Sequence, residues 1–187
     1  MKDQILAVVL GLSPNIMQYS EDMKVLPPHI KIGVNDIFKH TPVDYLIVVD
    51  RKNRFTSKRK KIIEESRPKE LLTFISEWKT HPCAKEIILA TGRSNLGELD
   101  NPNVYPYSIM SPFIAMVHAY KLGAKTILVY GVDLNDHHAL SDENCLNIIK
   151  RDVNNLNKEF NKRGVKMYIM NKESVLYGIL PFYILPR

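Results

Sequence analysis

The stretch Ser111–His138, SPFIAMVHAYKLGAKTILVYGVDLNDHH, decides the fold. Phe113, Met116, Val117, Tyr120 and Leu122 recur at helical spacing and predict an amphipathic helix over Pro112–Leu122. Gly123 suits the left-handed residue that ends a helix. Lys125–Val132 then reads as a buried central strand, and Asp133, Asp136, His137 and His138 crowd its carboxyl end. Ligands of open α/β sheets lie outside the carboxyl ends of the strands, so carboxylates and imidazoles placed there are candidates for chemistry.

Working outward, apolar runs at Gln4–Leu10, Ile30–Val34, Asp44–Val49, Leu71–Ile75, Glu86–Ala90 and Val165–Ile169 read as further strands. Helices are expected near Ile16–Met23, Lys60–Ser66 and Asp142–Lys162, with a short one from Ser174 to Gly178. Ser111 is read as a helix cap with Pro112 at the first helical position. Trp78 is expected to be a packing anchor. Strands alternating with helices predict an α/β fold: a single Rossmann-like domain over residues 1–187, with a mostly parallel central sheet and helices on both faces.

Composition narrows the partners. The chain has 187 residues, 45% hydrophobic and 25% charged, with no apolar run long enough to span a membrane. Its first residues read as a strand rather than a signal peptide. The two cysteines, Cys83 and Cys145, are far apart and suit free thiols in a reducing cytoplasm. The net charge of +6 favours an anionic partner. Much of it sits in Arg51–Lys61, RKNRFTSKRKK, which reads either as solvated surface or as a face toward phosphate or a polyanion such as nucleic acid.

Candidate site residues fall at strand ends. Gly11, Ser13 and Asn15 form a turn into a helix whose backbone N–H groups could hold phosphate, although the turn is neither GxGxxG nor a Walker loop. Asn35 and Asp36 close the second strand, and Asp50 and Arg51 the third. Asn and Asp suit base edges and ribose hydroxyls, and Arg suits phosphate. Ser111 and Gly131 flank the same edge. Arg93, in the Gly- and Asn-rich loop Thr91–Asn103, is a second candidate phosphate clamp, and its loop a candidate lid. His137, with His138 as second choice, is the candidate general base, with Asp133 to orient it. A divalent metal on the His–Asp cluster is the competing chemistry, and no dedicated metal site is expected. His40, His81 and His118 are expected to be satisfied by hydrogen bonds or solvated.

Taken in order, a G-x-S-P first turn, a VND second strand end, an Asp third strand end, and SPFIAxxxAxxLGAKxIxxYGVD with histidine shortly after resemble the small bacterial sialyltransferases that use CMP-sialic acid. The same order is similar to the MptE-like (hydroxymethylpterin diphosphokinase-like) superfamily. The resemblance implies a nucleotide site lined by Gly11, Ser13 and Asn35, a donor near Ser111, and a histidine base after the GVD strand. It implies inverting transfer from a nucleotide sugar to a hydroxyl acceptor, without metal or a tightly bound cofactor. The first turn is Leu10-Gly11-Leu12-Ser13-Pro14 where the family's Gly-Asn-Gly-Pro-Ser-type turn is expected, so an asparagine is missing, and the insert between Asp133 and His137 is short, which implies a trimmed transferase of phage or bacterial glycan loci. The MptE-like alternative implies ATP and Mg²⁺, with Asp50 and Asp133 as ligands. A third expectation is a non-catalytic nucleotide or nucleic-acid binding module.

Overall fold

A computed structural model describes residues 5–134 and 143–185. Seven parallel strands form one sheet in the order β5-β4-β3-β2-β1-β8-β9. They are β1 (Leu6–Leu10), β2 (Ile30–Val34), β3 (Tyr45–Ile47), β4 (Glu70–Thr73), β5 (Ala84–Glu86), β8 (Thr126–Tyr130) and β9 (Lys166–Ile169). A two-stranded parallel sheet pairs β6 (Ile88–Leu89) with β7 (Val104–Tyr105). Helices α1 (Ile16–Asp22), α2 (Ser57–Glu65), α3 (Ser111–Lys121) and α4 (Glu143–Lys162) complete the fold.

Strand pleating divides the core between the two faces. Ala7 and Val9 of β1 pack with α3 and α4, while Val8 and Leu10 pack with α1, α2 and Trp78. On α4 the buried residues Ile149, Val153, Leu156 and Phe160 follow helical spacing, as the sequence predicts. The α/β, Rossmann-like, mostly parallel architecture expected from the sequence is the one observed.

Boundaries moved where tertiary contacts outweigh local pattern. Glu86–Ala90 is two strands rather than one. Ile87 still donates to Thr73 of the main sheet (2.9 Å), and the next amide, Ile88, turns to Asn103 of the small sheet (3.4 Å). No helix forms over Ser174–Gly178, because its polar groups serve β8 instead: Ser174 Oγ donates to the Val132 carbonyl and Val175 N–H to that of Asp133. Ser111 is the first helical residue of α3, and the extended Met110 takes the cap position without a side-chain bond. Helix α2 starts at Ser57, earlier than its apolar residues suggest, because the Thr56 hydroxyl caps it by accepting from Arg59 N–H.

The tightest approach in the sheet lies where β1 and β8 end. Gly11 N–H donates to the Tyr130 carbonyl (2.8 Å) and Ser13 N–H to that of Gly131 (2.9 Å), so the ladder continues past both strands. A Cβ on Gly11 would sit 2.1 Å from the Gly131 carbonyl oxygen, and Gly131 itself holds φ +62°. Neither clash can be relieved by a flexible side chain, because each is with backbone. Gly11→Ala should therefore destabilise the protein by about 2–3 kcal/mol, at the upper end of overpacking costs, read as a lowered midpoint in urea unfolding with an unchanged slope.

Candidate nucleotide site at the strand ends

Between β1 and β8 the connections diverge: β1 leads across to β2, β3, β4 and β5, while β8 leads to β9 on the other side. Such a divergence is where open α/β sheets bind ligands. The turn after β1 (Gly11–Asn15) and the residues after β8 (Gly131–Asp133) meet there.

Asp133 ties this edge together. Its side chain is buried, and its two oxygens accept from different loops: Oδ2 from Asn15 Nδ2 and Oδ1 from Asn171 Nδ2, both at 2.7 Å. Its backbone N–H donates to Ser13 Oγ (3.2 Å). One carboxylate thus fixes the ends of β1, β8 and β9. The amides stabilise its buried charge by hydrogen bonding. Asn171, whose Oδ1 accepts from Glu173 N–H, was not anticipated from the sequence. An Asn just past a strand usually signals only a turn.

Asn35 and Leu134 both hold left-handed backbone at this edge. Asn35 holds φ +52°, its N–H donates to the Ile47 carbonyl, and its Nδ2 makes a long contact (3.4 Å) to Asp50 Oδ2. Among the described residues its Oδ1 is buried without a hydrogen-bond partner. An unpaired buried acceptor on a left-handed residue is costly, and such features concentrate at ligand sites. The carbonyl of Asp50 accepts from the indole of Trp78 (2.8 Å), so the buried Trp78 is the anchor expected and sets the end of β3.

Asp36 faces inward instead of toward ligand. It is fully buried and held by Arg59 of α2 through Nη2 (2.6 Å) and Nε (2.8 Å), with Lys39 at 3.3 Å. Burial alone would raise the Asp36 pKa. The hydrogen bonds and charge of Arg59, helped by Lys39, outweigh it and hold the carboxyl below its usual range. The pair fixes the residue that follows Asn35, which makes Asp36 a structural partner of the strained turn.

Arg51 is exposed beside Asp50, and Ser111 is half-buried at the start of α3. Arg93 is exposed on a loop whose described contacts run elsewhere: Ser94 N–H donates to Tyr107, and Asp100 binds Tyr120 of α3 and Arg163 beyond α4. Those bonds moor the Asp100 end of the candidate lid at the carboxyl end of α3, opposite Ser111. A hollow of about 500 Å³ opens between this loop and α4, lined by Ser94, Asn155 and Lys158 among others. It is separate from the β1–β8 edge. Asp136, His137 and His138 lie outside the described residues.

Two further polar pairs support the layers beneath the site. His118 is buried on α3, with Nδ1 hydrogen-bonded to the Tyr105 hydroxyl (2.9 Å), and burial lowers its pKa to about 4. It is a neutral buried histidine, and among the described residues its Nε2 has no hydrogen-bond partner, so it is only half satisfied. Asp152, fully buried on α4, accepts from Ser108 Oγ (2.6 Å) and pairs with Arg151, which joins α4 to the segment entering α3. Its signal was present in the sequence: helical spacing places 152 on the apolar face with Ile149, Val153 and Leu156.

No protein-family model matches the chain, and no curated protein matches it in sequence. Solved structures do match. A structure of the sialyltransferase CstII from Campylobacter jejuni with the substrate analogue CMP-3FNeuAc superposes with TM-score 0.60 at 13% identity, covering 97% of this chain and 87% of the other. CstII with a trisaccharide acceptor and CMP gives 0.59 at 14%, covering 96% and 86%. The apo alpha-2,3-sialyltransferase from Campylobacter jejuni gives 0.57 at 17%, covering 98% and 82%. At these identities the likeness is one of fold, and it extends over nearly the whole chain.

The Asp36–Arg59 pair makes an acid-range prediction. Because the folded Asp36 pKa is lowered, its contribution is present above the ordinary carboxylate value near about 4 and is lost as pH falls through the folded value. Arg59→Gln should cost about 2 kcal/mol at neutral pH, less than a fully enclosed pair because Arg59 stays partly open to water. It should also flatten or reverse the loss of stability below about pH 4, measured by urea unfolding across pH. An unchanged acid slope would remove Asp36 from this role.

Proposed function

We propose that the chain is a glycosyltransferase that takes its sugar from a nucleotide donor, with a cytidine nucleotide as the first candidate. The observation that carries this reading is the edge itself: a buried Asn35 oxygen with no partner among the described residues and a glycine-lined approach of β1 and β8, in a fold shared over nearly its full length with structures solved with CMP and a CMP-sugar analogue. Asn35 Oδ1 would accept from a ribose hydroxyl or base amino group. The first turn, Gly11–Asn15, would lie along the phosphate, and Ser111 at the start of α3 would face the donor.

In the proposed reaction the acceptor oxygen attacks the anomeric carbon from the side opposite the phosphate. The new carbon–oxygen bond forms as the carbon–oxygen bond to phosphate breaks, and the nucleotide leaves with the electron pair. His137, or His138, takes the acceptor proton. Attack from the opposite side inverts the anomeric centre. Arg51 would stabilise the charge growing on the leaving phosphate. Asp133 is assigned a positioning role, since its two oxygens already hold Asn15 and Asn171. Neither a metal nor a resident cofactor takes part in this scheme. The reaction is assigned to the cytoplasm, whose reducing conditions suit the two widely spaced cysteines, Cys83 and Cys145. Among the described residues no helix is long and apolar enough to cross a membrane.

A thermal-shift screen of CMP, UDP, GDP, ADP and ATP, each with and without Mg²⁺, tests the reading. CMP should raise the midpoint most, by an amount equivalent to about 2.7 kcal/mol at 100 times its dissociation constant, and Mg²⁺ should not change it. His137→Ala or His138→Ala should then lower turnover of the donor about 10²-fold or more with CMP binding retained. A shift with ATP only when Mg²⁺ is present would favour pyrophosphoryl transfer instead, and no shift with any nucleotide would overturn both enzyme readings.

A further inference from the structure

Residues Arg51 to Lys61 carry seven cations and no acid. The fold supplies acidic partners for three of them. Arg59 binds the buried Asp36, Lys52 binds Glu64 (2.8 Å) while lying over the Trp78 ring, and Lys61 approaches Glu65. Arg51, Arg54, Lys58 and Lys60 have no acidic partner among the described residues.

Their placement works against the protein's own stability. Lys58, Arg59 and Lys60 occupy the first turn of α2, where the N–H groups already give the helix a positive end, and no acid stands in that turn. The same cluster borders the candidate site on two sides. Arg51 directly follows Asp50, and Arg59 grips the residue that follows Asn35. Like charges repel over about one Debye length, roughly 8 Å at physiological salt, and an anion arriving at such a segment would relieve the repulsion.

The rings near the cluster decide what kind of anion fits. Phe55 and Trp78 are both buried, packed edge to face on each other. No exposed ring in the run offers the stacking platform that single-stranded nucleic acid uses. We propose that this basic segment, through Arg51, Arg54, Lys58 and Lys60, docks an anionic glycan chain and so presents an acidic sugar acceptor to the strand-end site. The proposal rests on the glycosyltransferase reading for the word acceptor, and the docking surface itself does not.

The test uses the full chain and a fluorescently labelled heparin-derived octasaccharide as probe, with neutral maltooctaose and an oligothymidylate of about twenty nucleotides as comparisons. The octasaccharide should bind, weakening about tenfold or more between about 50 and 200 mM salt, and maltooctaose should not. The triple variant Arg54→Gln, Lys58→Gln, Lys60→Gln should bind it at least about tenfold more weakly, while Lys58→Arg with Lys60→Arg should bind like the parent. The CMP thermal shift, read on the same samples, should be equal in parent and triple variant. If CMP fails to shift the parent while the octasaccharide result holds, the transferase reading falls and the anionic docking face stands. Equal octasaccharide binding by parent and triple variant overturns the proposal, as does tighter, variant-sensitive binding of the oligothymidylate.

Discussion

The carboxylate of Asp133 is the contact on which the strand-end edge depends. It lies where the sheet's connections diverge, and it binds one amide from the loop after β1 and one from the loop after β9. Three strand ends that the chain would otherwise leave independent become one surface. The glycines at 11 and 131 make this possible, because any side chain at Gly11 would force the two backbones apart. The amides reach a single carboxylate only because β1 and β8 cross so closely. Burying a carboxylate is expensive unless hydrogen bonds repay it, and two amide donors with the backbone links around them do so.

A second buried acid plays the matching role at the other side of the edge. Asp36 draws Arg59 in from the basic helix and steadies the turn that holds Asn35 in its left-handed conformation. The basic run therefore has two parts with different fates. Arg59, Lys52 and Lys61 are paired with acids of the fold, and the remaining cations have no acidic partner among the described residues. A composition count cannot separate these groups, since the separation comes from which carboxylates folding brings near.

Much of the architecture was legible because it rests on periodicity. The buried strands around Leu6–Leu10 and Thr126–Tyr130 and the apolar stripe of α4 follow from spacing alone. What was misread depends on partners distant in sequence. Glu86–Ala90 has the pattern of one strand, yet the amides of Ile87 and Ile88 find acceptors in different sheets. Ser174 has the look of a helix cap, yet its hydroxyl is taken by Val132. At the site, Gly11, Ser13, Asn15 and Asn35 stood out as polar or small residues just past apolar strands, and they do share one edge. Asp36 carried the same signal and turned inward, because a guanidinium 23 residues away was within reach. Asn171 gave no signal until its carboxylate partner was in place.

The most direct measurement is the backbone amide spectrum of ¹⁵N-labelled protein during titration with CMP. We expect the largest shifts at Gly11, Ser13, Asn15, Asn35 and Asp133, with smaller ones near Ser111 and none in the hollow between Ser94 and Lys158. Shifts confined to that hollow, or a spectrum unmoved at saturating CMP, would contradict a nucleotide site at the strand ends.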